Sequence, residues 1–185
     1  QGEYDAARAG YEAYLKATQG QVDAPLRDAA QYGLGVAALE AGDDKKALSI
    51  FRSYLATGGD EAYMAGAHWG LGQASLNLQA YADARDHFEK ALEISEISEA
   101  AARSRLGLGL IALQEEKWEL AREEFLKVDA FHSAWSTWVA LALLKSSEAA
   151  TQLGQPEKAE ADLKRIIERY PDTPSAAEAR RLLNQ

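Results

Sequence analysis

Histidines, paired glycines and acidic clusters are the residues of this 185-residue chain whose types lend themselves to chemistry. Histidine ligates metals or moves protons, but His68, His87 and His132 fall on different faces and different elements. They form no HExxH motif and no spaced histidine–carboxylate cluster. The chain has no cysteine, which removes disulfides, zinc–thiolate sites and thiol nucleophiles. Gly33/Gly35, Gly70/Gly72 and Gly107/Gly109 have the GxG spacing of phosphate loops, yet each pair sits inside a helical pattern with no strand before it. Asp43-Asp44, Glu115-Glu116 and Glu123-Glu124 lack the alternating spacing of a calcium loop. No catalytic, cofactor or metal site is expected, and the chain does not read as an enzyme.

The elements that carry these residues repeat. Leu34-Gly35, Leu71-Gly72 and Leu108-Gly109 open equivalent stretches, and Phe51, Phe88 and Phe125 close them. Ala47, Ala84, Ala121 and Ala159 fall at intervals of 37, 37 and 38 residues. A period of this size, with a turn between two helical patterns, predicts an α-solenoid. The pattern divides into a half-repeat over 1–20, repeats over 24–58, 60–95, 98–130 and 133–170, and a half-repeat over 173–185, all within a single repeat domain. About ten helices are expected and no strand. Pro25 and Pro174 suit first helical positions, Asp60 and Thr173 suit N-caps, and the longest helix is expected over 133–153. Glycine inside a helix costs about 1 kcal/mol against alanine, so Gly35, Gly72 and Gly109 in register imply a packing demand that outweighs propensity. Trp118 occupies the slot of Tyr81 one repeat earlier and is expected in the core.

Composition is that of a helical globular chain, 47% hydrophobic, with no apolar run near the ~20 residues of a membrane span. The opening Gln1-Gly2-Glu3-Tyr4 has no initiator Met and no signal segment, and reads as mature, processed or excised protein. Net charge is −9; residues 1–100 carry 16 acids against 8 bases, and residues 101–185 carry 13 against 12. This balance disfavours nucleic acid and anionic lipid as partners, since both need a basic footprint.

The spacing Leu-Gly-x2-small…Gly…Ala-x3-Phe resembles the tetratricopeptide repeat in a lengthened 37-residue form. It departs at the first aromatic slot, filled by Gln31, His68, Arg105 and Leu143, and at Ser146-Ser147, where Leu-Gly would stand; an altered helix angle is expected there. The resemblance implies an all-α, right-handed α–α superhelix and a non-catalytic scaffold that holds a protein or peptide segment in its concave groove, without a cofactor. By register the groove would comprise Tyr32, Val36, Leu39, Trp69, Gln73, Asn77, Leu106, Leu110, Leu113, Gln114, Leu144, Glu148 and Gln152. The basic side chains with which some family members clamp a C-terminal carboxylate are missing from these positions. Either this apolar surface is open to a partner or flanking structure covers it as core. Trp135 and Trp138 form a second patch, read either as a partner anchor or as packing on the third repeat. The stretch 169–183 is similar to repeats of bacterial cell-envelope proteins, which implies a periplasmic or envelope location, with the cytoplasm as the alternative. Self-association as a homodimer, through the solenoid ends or the groove, and a role as a non-catalytic module of a larger enzyme or regulator are the other readings.

Overall fold

The computed structural model describes residues 2–21 and 26–184, with side chains from Ala6 onward. The helix start expected at Pro25 lies outside the described residues. Ten helices account for nearly all of the rest: α1 (Gly2–Ala17), α2 (Arg27–Glu40), α3 (Asp44–Ala56), α4 (Glu61–Asn77), α5 (Tyr81–Ile94), α6 (Glu99–Gln114), α7 (Trp118–Phe131), α8 (Ser136–Gln152), α9 (Pro156–Arg169) and α10 (Pro174–Leu183). They form two compact units, Gln1–Ser95 and Glu96–Gln185. In unit 1, α2/α3 and α4/α5 are antiparallel hairpins; α1 lies on α2, and α2 also packs on α4. In unit 2, α6/α7 and α8/α9 are the hairpins; α6 packs on α8, and α10 closes on α8 and α9.

Small residues set how closely these helices approach. Ala47, Ala84 and Ala121 are fully buried, as are Phe51, Phe88 and Phe125 one turn on. Each ring rests on glycine. A Cβ on Gly35 would come within 2.5 Å of the Phe51 ring, one on Gly72 within 2.6 Å of Phe88, and one on Gly109 within 2.4 Å of Phe125. In the first two pairs the first glycine serves the preceding element. Gly33 lies under Tyr11, and Gly70 lies under the opposite edge of Phe51, where an added Cβ would stand 2.3 Å from the ring. Interiors are close-packed, so no side chain fits between such surfaces.

The turn inside each hairpin is one structure used four times. Gly42, Gln79, Glu116 and Gly154 all have positive φ, between 57° and 77°. The following amide in each turn bonds back to the helix end: Asp43 to Ala38, Ala80 to Ser75, Lys117 to Ala112 and Gln155 to Ala150, at 2.8–2.9 Å. This is the Schellman geometry, in which a left-handed residue satisfies otherwise unpaired carbonyls. Two of the four turns achieve it without glycine.

Asp43, Asp60 and Ser98 cap α3, α4 and α6 through their side chains. Thr173 holds the cap position of α10, but its hydroxyl donates to the Tyr170 carbonyl at 2.8 Å instead of receiving a helix N–H. Helix α8 begins at Ser136, not at 133, because 132–135 form a turn closed by Trp135 N–H on the His132 carbonyl at 2.9 Å. The departure at Ser146-Ser147 is a polar seat. Ser146 Oγ donates to Asp162 Oδ2 at 2.7 Å, and Arg122 Nη2 donates to the same oxygen at 3.1 Å. Asp162 is 2% exposed, so serine has replaced leucine where a buried carboxylate needs a donor.

Candidate functional site

The residues expected to line a groove divide by register. Tyr32, Trp69, Leu106 and Leu144 are equivalent positions, and three of them are buried: Trp69 at 2%, Leu106 at 6% and Leu144 at 8% exposure. Leu39 is buried as well. For these four buried side chains the accessible surface expected from register is absent. The reason is visible at Tyr32, whose ring lies over Gly66 and 5.3 Å from the Tyr63 ring of α4. In unit 1 this position fills the seam between α2 and α4. Leu106 and Leu144 do the same work in the core of unit 2. Val36 and Leu110 are half-buried; Gln73 is half-buried and Asn77 exposed. These two amides form a polar chain, Gln73 to Asn77 at 2.9 Å and Asn77 to Asp44 at 2.7 Å.

Four of the expected residues, Leu113, Gln114, Glu148 and Gln152, do converge, on a cleft of about 660 Å³ in unit 2. The ends of α6 and α8 supply them, together with Ser147 and Thr151. The remaining walls are Trp118 at the start of α7, Ala159 and Leu163 on α9, and Leu182 on α10. Trp118 is therefore half-buried, not core: as the first residue of α7 it forms one wall of this cleft. Leu182 was missed because its place depends on how α10 folds back onto α8 and α9, which no local period encodes.

The polar groups of the cleft fall into two kinds. Ser147 donates to the Leu144 carbonyl at 2.7 Å and Thr151 to the Ser147 carbonyl at 2.9 Å, so both hydroxyls are turned to their own helix. Glu148 is paired with Lys145 at 2.8 Å. Gln114 and Gln152 are exposed, and their amides make no hydrogen bond among the described residues. No Lys, Arg or His side chain lines the cleft. Chemically it is an apolar trough with two unused amides on its rim and no cation to fix a carboxylate.

The second patch is built differently. Trp138 Nε1 donates to Glu99 Oε1 at 2.9 Å, and the Arg103 guanidinium lies 4.4 Å over its ring. Trp135 is half-buried against the unit 2 core. Trp138 thus ties the start of α8 to α6, and Trp135 packs on the core of unit 2. His132, buried beside them, has neither ring nitrogen hydrogen-bonded, and burial, then the Arg105 charge, hold its pKa below the ordinary imidazole value. The expectation that the three histidines lie apart fails for two of them: His68 and His87 face each other across the α4/α5 hairpin with Nδ1 atoms 3.2 Å apart.

Models of the tetratricopeptide repeat match residues 1–63, 65–96 and 141–173, together well over half of the chain. The chain belongs to the tetratricopeptide repeat family. Solved tetratricopeptide repeat structures share its fold. TTC0263, a thermophilic TPR protein of Thermus thermophilus, is 19% identical with a TM-score of 0.76 over 100% of this chain and 92% of that one. MamA is 20% identical with a TM-score of 0.65, over 91% and 83% of the two chains. YrrB, a TPR protein with an unusual peptide-binding site, is 22% identical with a TM-score of 0.62, over 97% and 84%. No curated protein matches the sequence. Among the described residues no helix is long and apolar enough to cross a membrane.

Proposed function

We propose that this tetratricopeptide repeat protein is a non-catalytic scaffold that holds a segment of a partner protein in the unit 2 cleft. The carrying observation is the trough between Leu113, Trp118, Leu163 and Leu182 with the unpaired amides of Gln114 and Gln152 on its rim. An apolar side chain of the partner enters the trough, and the glutamines bond its main chain, which offers both donors and acceptors. The lack of a lining cation argues for an internal segment over a free C-terminus. YrrB, of the same fold, has a peptide-binding site, which is consistent with this use. A periplasmic or envelope-associated bacterial assembly is the proposed setting; its support is the likeness of 169–183 to envelope repeat proteins, and fractionation of the source cells tests it.

The binding test is selection from a displayed random-peptide library, followed by titration of the selected peptides. Trp118 serves as the reporter in a Trp69→Phe/Trp135→Phe/Trp138→Phe background. Occupancy of the cleft shifts Trp118 emission, and Leu113→Glu or Leu182→Glu weakens binding by about tenfold or more, as burial of a carboxylate opposite an apolar side chain requires. Peptides that bind both variants as tightly as the parent would sink the reading.

A further inference from the structure

His68 on α4 and His87 on α5 are both half-buried, with ring centroids 5.4 Å apart and Nδ1···Nδ1 at 3.2 Å. No group of three or more metal-ligating side chains exists among the described residues, so the contact is one between two imidazoles alone. At this distance one ring donates its Nδ1–H to the lone pair of the other, which fixes opposite tautomers on the two rings. The register shows what the seat is for. Thirty-seven residues on, the same two positions hold Arg105 and Glu124, an ion pair at 3.8 Å across the α6/α7 hairpin. The seat joins the two helices of a hairpin by a polar contact, and in α4/α5 both partners of that contact are groups that take up protons as the solution is acidified.

Protons act on it in two steps. The first enters at the outward Nε2 of the donor ring and leaves the hydrogen bond intact. The second must occupy the accepting lone pair; it converts the acceptor to a donor and leaves two cations face to face. The charged groups around the pair are Asp83, Asp86 and Lys90 on α5 and Arg52 on α3. Asp86, bonded to Lys90 at 2.6 Å, pulls the other way and favours the charged rings, His87 most, but does not outweigh burial. Burial foremost, with help from Lys90, keeps both imidazoles below the ordinary value of 6.5, so the pair is neutral at pH 7.

We propose that the His68–His87 contact makes the α4/α5 hairpin an acid-sensitive joint, closed near neutrality and released when both rings are charged. The α6/α7 hairpin, joined by Arg105 and Glu124, has no such response at this seat. The sign follows from linkage: the folded pair excludes protons that the unfolded chain accepts, so hairpin stability is complete above pH 6.5 and falls below it. The opening constant rises by up to about tenfold per pH unit for each excluded proton.

The test is amide hydrogen exchange, expressed as protection factors, between pH 7.5 and 5. It compares the parent with His68→Arg/His87→Glu, which installs the next hairpin's own pair. The parent loses protection in α4 and α5 by about tenfold or more at pH 5; the variant does not, and α6 and α7 behave alike in both. If the double variant fails to fold at pH 7.5, His68→Gln replaces it, since Gln31 holds that position in the first hairpin. Parallel acid profiles for α4 and α5 in parent and variant overturn the proposal. So do two imidazole resonances that titrate independently at the ordinary value.

Discussion

Gln79→Gly and Glu116→Gly should each stabilise the protein. Both residues occupy a left-handed turn position that Gly42 and Gly154 fill in the other two hairpins, with φ of 61° and 57°. Holding a non-glycine residue in that region costs about 1–2 kcal/mol through the clash of Cβ with the following carbonyl. Glycine removes that cost and gives back about 0.4–1 kcal/mol through the greater freedom of its unfolded chain. Neither side chain makes a hydrogen bond or ion pair among the described residues, and both are exposed, so no contact is lost. The expected net gain is therefore about 0.5–1 kcal/mol per site, additive because the sites lie in different units. With a urea m-value of about 2 kcal/mol/M, each substitution raises the midpoint by about 0.3–0.5 M, read by far-ultraviolet circular dichroism. Gln79→Ala is the control, since it removes the side chain and keeps the strain, and it should be neutral. Gly42→Ala should lose about 1 kcal/mol or more. A midpoint lowered by Gln79→Gly, or raised equally by Gln79→Ala, refutes the strain account.

Gly72→Ala is expected to lose about 1–3 kcal/mol by overpacking and Gly72→Val more, because the Cβ would sit 2.6 Å from a Phe88 ring with no exposed surface and no room to withdraw; a urea titration of both variants checks the order. Asp162→Ala should cost about 3 kcal/mol by stranding Arg122 and Ser146, and Asp162→Ala combined with Arg122→Met should cost less than the two single losses summed, a coupling measured by a double-mutant cycle. His132 binds its proton less readily folded than unfolded, so its contribution is intact above pH 6.5 and is lost as pH falls below it; His132→Gln should flatten that part of the stability–pH curve, and an unchanged slope would show that the ring is not a titrating burden.

The helical hairpins were legible because their signals are local: a small residue facing a large one at fixed spacing, and a cap or glycine at the ends. Register even placed Leu113, Gln114, Glu148 and Gln152 on a common surface. It left open whether Leu106 and Leu144 line a groove or serve as core, since the same periodicity describes both; the packing of unit 2 makes them core. The histidines were read as separate because sequence distance hides a contact across a hairpin, although Arg105 and Glu124 repeat it 37 residues later. Trp118 and Leu182 owe their place in the cleft to how the helices of unit 2 pack together, and that is a property of the assembled unit.

Phe51 touches Gly35 in its own hairpin and Gly70 in the next, one ring keyed into two hollows 35 residues apart. A deletion or insertion of a few residues between them would turn one hollow away while the other still held the ring, and no single compensating change could restore both. Such a chain lengthens or shortens by whole periods. The ring works as a vernier that permits duplication of an entire repeat and penalises every fraction of one, which explains why 37 recurs with an error of a single residue across the four alanines.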